Sequence, residues 1–222
     1  MGRLEIRDVF FISPFVVQGS EQREMRVTLE GTRERDIVIE GRAAGASGGQ
    51  WDEHARAVVL PLEGEAPAKQ DPAAIRARCS AQHVTFTGNE TREHLVLGKR
   101  WSNISALDYG NGEAIATLKL PAEFASETEA FRLHPALLDV ATACAQALIP
   151  GYDPKRDFYI PVSYGRVRVW ATLAGECYSH IKLQPRVEEG QDTAVYDVNL
   201  IAPNGDVLVE ISDFTMMLVK DR

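Results

Sequence analysis

Cysteine is scarce in this sequence of 222 residues, and the three cysteines, Cys79, Cys144 and Cys177, lie far apart without a CxxC pair. An odd, scattered set argues against a disulfide framework and favours a reducing compartment, so we predict a cytoplasmic location. Long apolar runs are also missing, because no stretch approaches the roughly 20 residues that a membrane helix needs. The first residues of the sequence do not have the signal-peptide pattern of a positively charged segment followed by an apolar one.

Positive charge is in deficit: 24 Lys and Arg stand against 32 Asp and Glu, which gives a net charge of −8. Broad electrostatic attraction to nucleic acid or to anionic membranes is therefore not expected. Hydrophobic residues make up 45% and charged residues 25% of the chain, as in ordinary globular proteins. The length suits one large domain or two small ones with a substantial core.

The first third of the sequence is rich in predicted strands. Apolar and polar residues alternate there in four segments, residues 4–11, 26–30, 36–41 and 51–60. Residues 61–70 have the composition of an exposed linker. Asp71 and Pro72 then provide an N-cap and a first helical residue for a short helix that runs to Arg78. We place the boundary between two subdomains at this helix.

The second part combines further strands with one long helix. Strands are predicted over residues 112–120, 164–170, 177–184, 193–201 and 207–219, and Asn204-Gly205 is a hairpin signal between the last two. The helix is predicted over residues 134–149, where apolar residues occupy nearly every face, so we expect it to be buried all round. Antiparallel strands around one buried helix indicate an α+β fold in which a curved sheet wraps the helix. The first part has similar strands but no such helix.

Asp139 is the residue in this helix that needs an explanation. Its neighbours at helical spacing cannot neutralise a carboxylate, since they are Pro135, Ala136, Thr142 and Ala143. Burial of a lone carboxylate costs several kcal/mol unless it is paired, hydrogen-bonded or protonated. Either a distant partner reaches Asp139, or Asp139 works as an acid. The plain alternative is a structural aspartate that meets a backbone amide or an arginine. His134 has the same two interpretations, as a helix cap or packing residue and as a functional residue.

Several ordered segments resemble one family. Residues 134–139 (HPALLD) resemble the second active-site motif of polyketide synthase dehydratase domains. The strand that follows the helix, residues 157–169 (DFYIPVSYGRVRV), and the C-terminal residues 196–219 are similar to the corresponding segments of that family. Upstream, similar segments are residues 4–14, the WxxHA strand with Trp51, His54 and Ala55, and the linker helix of residues 71–79 (DPAAIRARC). The resemblance covers nearly the whole chain.

The resemblance implies a double hotdog fold, in which curved antiparallel sheets wrap central helices and the first hotdog is incomplete. Residues 1–70 would form the partial N-terminal hotdog, residues 71–79 the linker helix, and residues 80–222 the complete C-terminal hotdog. Such domains remove water from a 3-hydroxyacyl thioester, with a histidine of the first hotdog as base and the aspartate of the second assisting the leaving hydroxyl. Catalysis is thus expected at Asp139, and substrate binding at His134, Pro135, Leu138, Gly98, Trp101, Gln146, Pro161 and Ser163.

The resemblance also implies partners. The substrate would arrive on the phosphopantetheine arm of an acyl carrier protein, with no cofactor and no metal bound by the domain itself. Neighbouring synthase domains would be further partners, and the domain could form a homodimer. Nucleic acid and membranes are not expected to bind.

Some family residues are missing. The first active-site motif, HxxxGxxxxP, is not found: His94 precedes Gly98 by four residues, but Asn103 replaces the proline, and His54 belongs to the WxxHA strand. The catalytic histidine is therefore expected to lie before Met1. Ala143 stands where the family often has Gln or His. Gln146 lies one turn further, either as a substitute or in a surface or packing role. The family's YGPxF appears as LGKRW, residues 97–101.

These departures leave several functions open. The leading hypothesis is a dehydratase portion that is inactive alone because it lacks the histidine. A non-catalytic double hotdog, retained as a scaffold or as a docking surface for a carrier protein, is the alternative from another class. Double-bond isomerases and pyran-forming cyclases are variant enzymes with altered motifs. A free-standing thioesterase or acyl-CoA hotdog enzyme fits poorly with the HPALLD and PVSYGRVRV segments.

Overall fold

The computed structural model describes residues 2–45, 48, 50–87, 96–185 and 190–220. Within them, eleven strands form one sheet in which every neighbouring pair is antiparallel, in the order β2-β3-β4-β1-β8-β11-β10-β9-β7-β6-β5. The strands are β1 (Leu4–Phe11), β2 (Arg23–Gly31), β3 (Arg35–Ala43), β4 (Asp52–Pro61), β5 (Gln82–Thr85), β6 (Ile104–Tyr109), β7 (Glu113–Lys119), β8 (Tyr159–Val169), β9 (Glu176–Leu183), β10 (Thr193–Ile201) and β11 (Val207–Leu218).

The helices are few and short. They are α1 (Pro72–Arg78), α2 (Glu127–Ala130) and α3 (Pro135–Ala143), with 3-10 turns at Lys99–Trp101, Ala122–Phe124 and Gln146–Leu148. None of the described helices has the length and apolar character that crossing a bilayer requires. The predominance of antiparallel sheet agrees with the predicted α+β class.

The main core lies between α3 and the C-terminal half of the sheet. Ala136, Leu137 and Ala141 of α3 are fully buried, and Leu137 and Ala141 belong to a cluster with residues of β6 to β11. Each fully buried leucine or isoleucine in such a cluster contributes about 1.5–3 kcal/mol. Ser179 of β9 donates a hydrogen bond of 2.6 Å from Oγ to the Ala141 carbonyl, one of the last four helical carbonyls, which have no partner within the helix. The sheet therefore both packs against α3 and satisfies its C-terminal end.

The N-terminal strands continue the same sheet but leave one apolar face uncovered. β1 pairs with β8, with Ile6 opposite Val167. This pair of strands joins the N-terminal strands to the rest of the sheet. On β2 the alternating residues Met25, Val27 and Leu29 are 55%, 61% and 50% exposed. Among described residues 2–45, 48 and 50–71 there is no helix to cover them. In the described part of the chain, the N-terminal strands thus occur without a central helix, as the sequence predicts. The division at residues 71–79 stays a prediction.

The central helix is shorter and less enclosed than predicted. It ends at Ala143, and the chain continues through a 3-10 turn, whereas a single helix was expected over residues 134–149. Pro150 disfavours helical geometry at Ile149, which is extended, and the last turn before it tightens into 3-10 geometry. The helix is also not buried all round, because Pro135 and Asp139 are exposed on the side opposite the sheet.

The strands differ from the prediction in two further ways. β8 begins at Tyr159, five residues before the predicted start, and runs through Pro161. The register with β11 shifts beside Pro161, between Thr215 and Met216, and such irregularities are where a sheet tolerates proline. β5 and β6 were not predicted at all. The other predicted strands agree with the structure to within a few residues.

Helix α1 docks on the sheet through ion pairs and through a small buried apolar cluster around Ile75. Asp71 caps it as predicted, accepting a hydrogen bond of 2.9 Å from the Ala73 amide. Arg78 pairs with Glu113 of β7 at 2.9 Å, and His180 Nε2 of β9 lies 2.8 Å from the same carboxylate. Burial lowers the pKa of His180, so this ring is neutral near pH 7. Glu113 is thus the carboxylate on which the linker helix and two strands meet.

We predict that Glu113→Gln destabilises the protein and removes part of its acid sensitivity. Hydrogen bonding to Arg78 lowers the pKa of Glu113 from 4.5 to about 2, with burial opposing and His180 assisting. Because the folded pKa is depressed, this stabilisation is complete above pH 4.5 and is lost as the pH falls towards about 2. Urea unfolding of both proteins at pH 7, 4.5 and 3 measures the effect.

Glu123→Gln is the matched control, since Glu123 is exposed and lies 4.0 Å from Lys99. Its unfolding free energy should differ from wild type by less than about 0.5 kcal/mol. A Glu113→Gln variant whose stability has the wild-type pH dependence would contradict the stabilising role of the Glu113 carboxylate.

Candidate active site

Asp139 lies on the open side of α3, and its partner is a tryptophan. The indole Nε1 of Trp101 donates a hydrogen bond of 2.7 Å to Asp139 Oδ2 across a separation of 38 residues. The carboxylate is exposed, whereas Leu137, Val140 and Ala141 on the opposite side of the helix are buried. Asp139 therefore has the distant partner that the sequence left open, and it faces an accessible surface rather than the core.

Trp101 is held by the short turn in which it lies. This turn, Lys99–Trp101, begins after Gly98 and lies against the start of α3. Asn103, only 2% exposed, donates from Nδ2 to the carbonyls of Arg100 and Ala136, both at 2.9 Å. One amide group thus ties the backbone of the turn to the first turn of α3, and this tie sets the position of the indole.

A second tie is made by Glu127 of α2. Arg100 donates to it from Nε at 2.8 Å and from Nη2 at 2.5 Å, a bidentate geometry. His134, 1% exposed at the N-cap of α3, lies 3.1 Å from Glu127 through Nε2. Arg100 and then His134 lower the pKa of Glu127 to about 2, so it is anionic at neutral pH. Since a carboxylate only accepts, His134 Nε2 carries the proton in this contact.

Two hydroxyl groups lie beside Asp139. Thr142 Oγ1 is 3.1 Å from the Leu138 carbonyl and 3.4 Å from the Tyr164 hydroxyl of β8. The Tyr164 ring stacks on Phe214 with 4.8 Å between centroids. Burial raises the pKa of Tyr164 to about 12, opposed by the Thr142 hydrogen bond and assisted by the Asp139 charge. Tyr164 is therefore a neutral hydroxyl at all physiological pH values.

The other predicted binding residues lie in different surroundings. Pro135 is the exposed first residue of α3, and Leu138 is half-buried against the core. Gln146 lies in the 3-10 turn after α3 rather than on the helix itself. Pro161 and Ser163 are half-buried on β8, the strand that carries Tyr164. A contact of these residues with substrate stays a prediction.

Gly98, also predicted to bind substrate, is the exposed N-cap of the Lys99–Trp101 turn. A side chain there would meet no atom within 4 Å, so packing does not require glycine at this position. Of the predicted residues, the structure brings Trp101 into direct contact with Asp139 and connects His134 to the same region through Glu127.

The described histidines have structural partners. His54, 8% exposed, lies 3.0 Å from Ser13 Oγ through Nδ1 and packs edge-on against Phe15, which fits its interpretation as a structural residue. His83, His134 and His180 are paired with carboxylates. His94 lies outside the described residues. In the described part of the chain, no histidine is hydrogen-bonded to Asp139, and no three side chains converge as metal ligands would.

Sequence reasoning did not single out several residues of this site, namely Arg100, Asn103, Glu127, Thr142 and Tyr164. Glu127 lies in an acidic segment, SETEA, for which no helix was predicted. Asn103 stands where the family motif has proline, and the sequence gives no further indication of its role. A polar residue that is buried by the fold has no distinct pattern in the sequence. Its role can be recognised only when its neighbours in three dimensions are known.

Comparisons with known proteins agree on one family. Residues 61–222 match the family described as "Polyketide synthase dehydratase N-terminal domain". The chain is 25% identical over 216 residues to Polyketide synthase ThaG of Burkholderia thailandensis, covering 93% of this chain and 4% of that protein. It is 20% identical over 228 residues to Polyketide synthase PksM of Bacillus subtilis, covering 96% and 5%. The chain thus spans a small part of these curated relatives.

Solved structures have the same fold. A trans-AT polyketide synthase dehydratase domain from Brevibacillus brevis superposes with a TM-score of 0.85 at 18% identity, covering 98% of this chain and 77% of that one. An N-terminal dehydratase from the difficidin assembly line gives a TM-score of 0.83 at 20% identity, covering 99% and 78%. The double hotdog fold is thereby confirmed. With its fold and most of its sequence matched, this chain belongs to the polyketide synthase dehydratase family.

Proposed function

We propose that this chain is the aspartate-bearing part of a dehydratase in a multidomain polyketide synthase. It would act on a 3-hydroxyacyl thioester carried by the phosphopantetheine arm of an acyl carrier protein, and the product would be the enoyl thioester. The observation that carries this proposal is Asp139, an accessible carboxyl group within HPALLD, held by the Trp101 indole at 2.7 Å. Neighbouring synthase domains would be its partners in the cytoplasm.

The proposed reaction has a simple atom balance. A base removes the proton from Cα, the electron pair of that bond forms the Cα–Cβ double bond, and the Cβ–O bond breaks. The departing hydroxyl takes a proton from the Asp139 carboxyl group and leaves as water. General acid assistance of this kind contributes about 10²- to 10⁴-fold. Asp139 is suited to it because its carboxyl group is exposed and has a donor at one oxygen.

The base would come from outside this chain. No HxxxGxxxxP motif occurs in the sequence, and the described histidines are engaged with other groups. The uncovered apolar face of β2, with Met25, Val27 and Leu29, supports the proposal, because an exposed patch of this kind usually has a covering partner. A helical segment that carries the histidine would complete both the hotdog and the site.

A non-catalytic scaffold is the second candidate. It is favoured by the lack of the histidine motif and by Ala143, which offers no polar group where the family often has Gln or His. An isomerase or pyran-forming cyclase would use the same aspartate on a related substrate. The scaffold predicts no chemistry at Asp139, so substitution of this residue separates the candidates.

The isolated 222-residue chain is predicted not to dehydrate 3-hydroxyacyl thioester surrogates above background. Loss of a positioned base costs about 10²- to 10⁴-fold, and the donor to the thioester carbonyl would be lost with it. Mass spectrometry of the thioester after incubation measures the product. Clear turnover would require a base within this chain and would contradict the proposal that the base comes from outside it.

Asp139→Asn is predicted to reduce dehydration by about 100-fold or more in the synthase protein that contains this chain. Asparagine keeps the shape and can still accept from Trp101, so the melting temperature should change little, as for other surface substitutions of about 0.5 kcal/mol or less. Product formation and thermal unfolding are measured on the same variant.

Asp108→Asn is the matched control. Asp108 is 6% exposed and pairs with Arg76 at 3.0 Å, so its substitution should cost about 1–3 kcal/mol of stability without changing turnover per folded molecule. If Asp139→Asn instead melts much earlier and the folded fraction still dehydrates normally, Asp139 is a structural residue.

A further inference from the structure

We propose that Glu127, through Arg100 and His134, is a positioning residue that keeps the Trp101 indole on Asp139 Oδ2 and so makes Oδ1 the oxygen that carries the reacting proton. The inference rests on the proposed role of Asp139 as an acid and names the atom that performs it. Glu127, Arg100 and His134 are called the Glu127 clamp below.

The choice of oxygen follows from the chemistry of the indole. Trp101 Nε1–H is only a donor, so the oxygen 2.7 Å away, Oδ2, must accept. In a protonated carboxyl group one oxygen is the hydroxyl and the other the carbonyl, and the carbonyl is the better acceptor. The indole therefore favours the carbonyl at Oδ2 and the acidic proton at Oδ1. Among the described residues, Oδ1 has no hydrogen-bond partner, so it is available to a substrate hydroxyl.

The Glu127 clamp connects the two elements that carry this pair. Arg100 immediately precedes Trp101 in the 3-10 turn, and His134 immediately precedes α3, on which Asp139 lies. Glu127 binds both, at separations of 27 and 7 residues. Because His134 is the N-cap of the same short helix on which Asp139 lies, the position of His134 constrains that of Asp139. The clamp thereby fixes the distance between the indole and the carboxylate.

The contacts of the Glu127 clamp restrict the orientation of its side chains. The Arg100–Glu127 contact is bidentate, which restricts both side chains, and the Arg100 guanidinium also lies 4.3 Å from the Phe124 ring centre. His134 is 1% exposed, so loss of Glu127 would leave its Nε2–H buried without an acceptor. Asn103 binds only the backbone of the turn, whereas the Glu127 clamp also restrains the side chains of Arg100 and His134.

The test measures the Trp101 indole directly. The chain has three tryptophans, so a ¹⁵N–¹H spectrum of its indole groups contains three signals. Trp101→Phe identifies one of them, and Trp170, whose indole binds Glu210 at 2.8 Å, provides an internal reference. We expect Glu127→Gln to move the Trp101 signal in the same direction as Asp139→Asn does, with the Trp51 and Trp170 signals unchanged. Glu123→Gln, the neighbouring exposed acid, should move none of them.

Turnover provides the second measurement, in the synthase protein that contains this chain. Misplacement of a reacting group by about 1 Å can cost about 100-fold, so Glu127→Gln and Trp101→Phe should each lower kcat by about 10- to 100-fold with little change in KM. If Glu127→Gln fails to fold, Arg100→Lys, which keeps the charge and loses the bidentate geometry, is measured in the same two ways and should give the same changes.

The outcomes separate this inference from the proposed function. Wild-type indole signals and wild-type kcat in a folded Glu127→Gln protein would overturn the positioning role, while a loss of activity in Asp139→Asn would still support the dehydratase. Unchanged dehydration in Asp139→Asn would overturn the role of Oδ1 together with the proposed function, even if the indole signal still depended on Glu127.

Discussion

The packing of α3 against the sheet is the constraint on which the rest of the structure depends. This helix has nine residues, which is too short to be stable alone in water. The sheet supplies the missing stabilisation by burying Ala136, Leu137 and Ala141. Hydrogen bonds from Asn103 to the first turn and from Ser179 to the last turn hold the helix at both ends. Every residue of the candidate site is placed relative to this helix.

This packing explains how an aspartate is tolerated in an apolar helix. Because the sheet covers one side of α3 and leaves the other open, Asp139 meets solvent and the Trp101 indole instead of the core. The desolvation cost that a wholly buried carboxylate would carry is thereby avoided. The same open side is where a substrate can approach, so the geometry that permits the residue also makes it usable.

Ion pairs as well as backbone hydrogen bonds join β1 to β8. Glu5 of β1 is 4% exposed and binds Arg168 of β8 at 3.0 Å, with Arg166 at 3.6 Å. Burial raises the pKa of Glu5, but the hydrogen bonds from Arg7 and Arg168 together outweigh it, so the net pKa is lowered and Glu5 stays ionised. These ion pairs fix β1 on β8 and so hold the N-terminal strands in line with the rest of the sheet. Among the described residues, no helix covers the apolar face of β2.

Local patterns in the sequence determined much of this protein. Alternation predicted most strands, Asp71 and Pro72 predicted the start of α1, and the apolar residues after His134 predicted the central helix with Asp139 as its unexplained carboxylate. These features depend on neighbours within a few residues. Only the tertiary structure decided where α3 ends and which side of it is open. It also decided that Trp101 and Glu127 are the groups that arrange Asp139, because these contacts join segments up to 38 residues apart. Such contacts arise when the sheet closes around the helix, and no local periodicity encodes them.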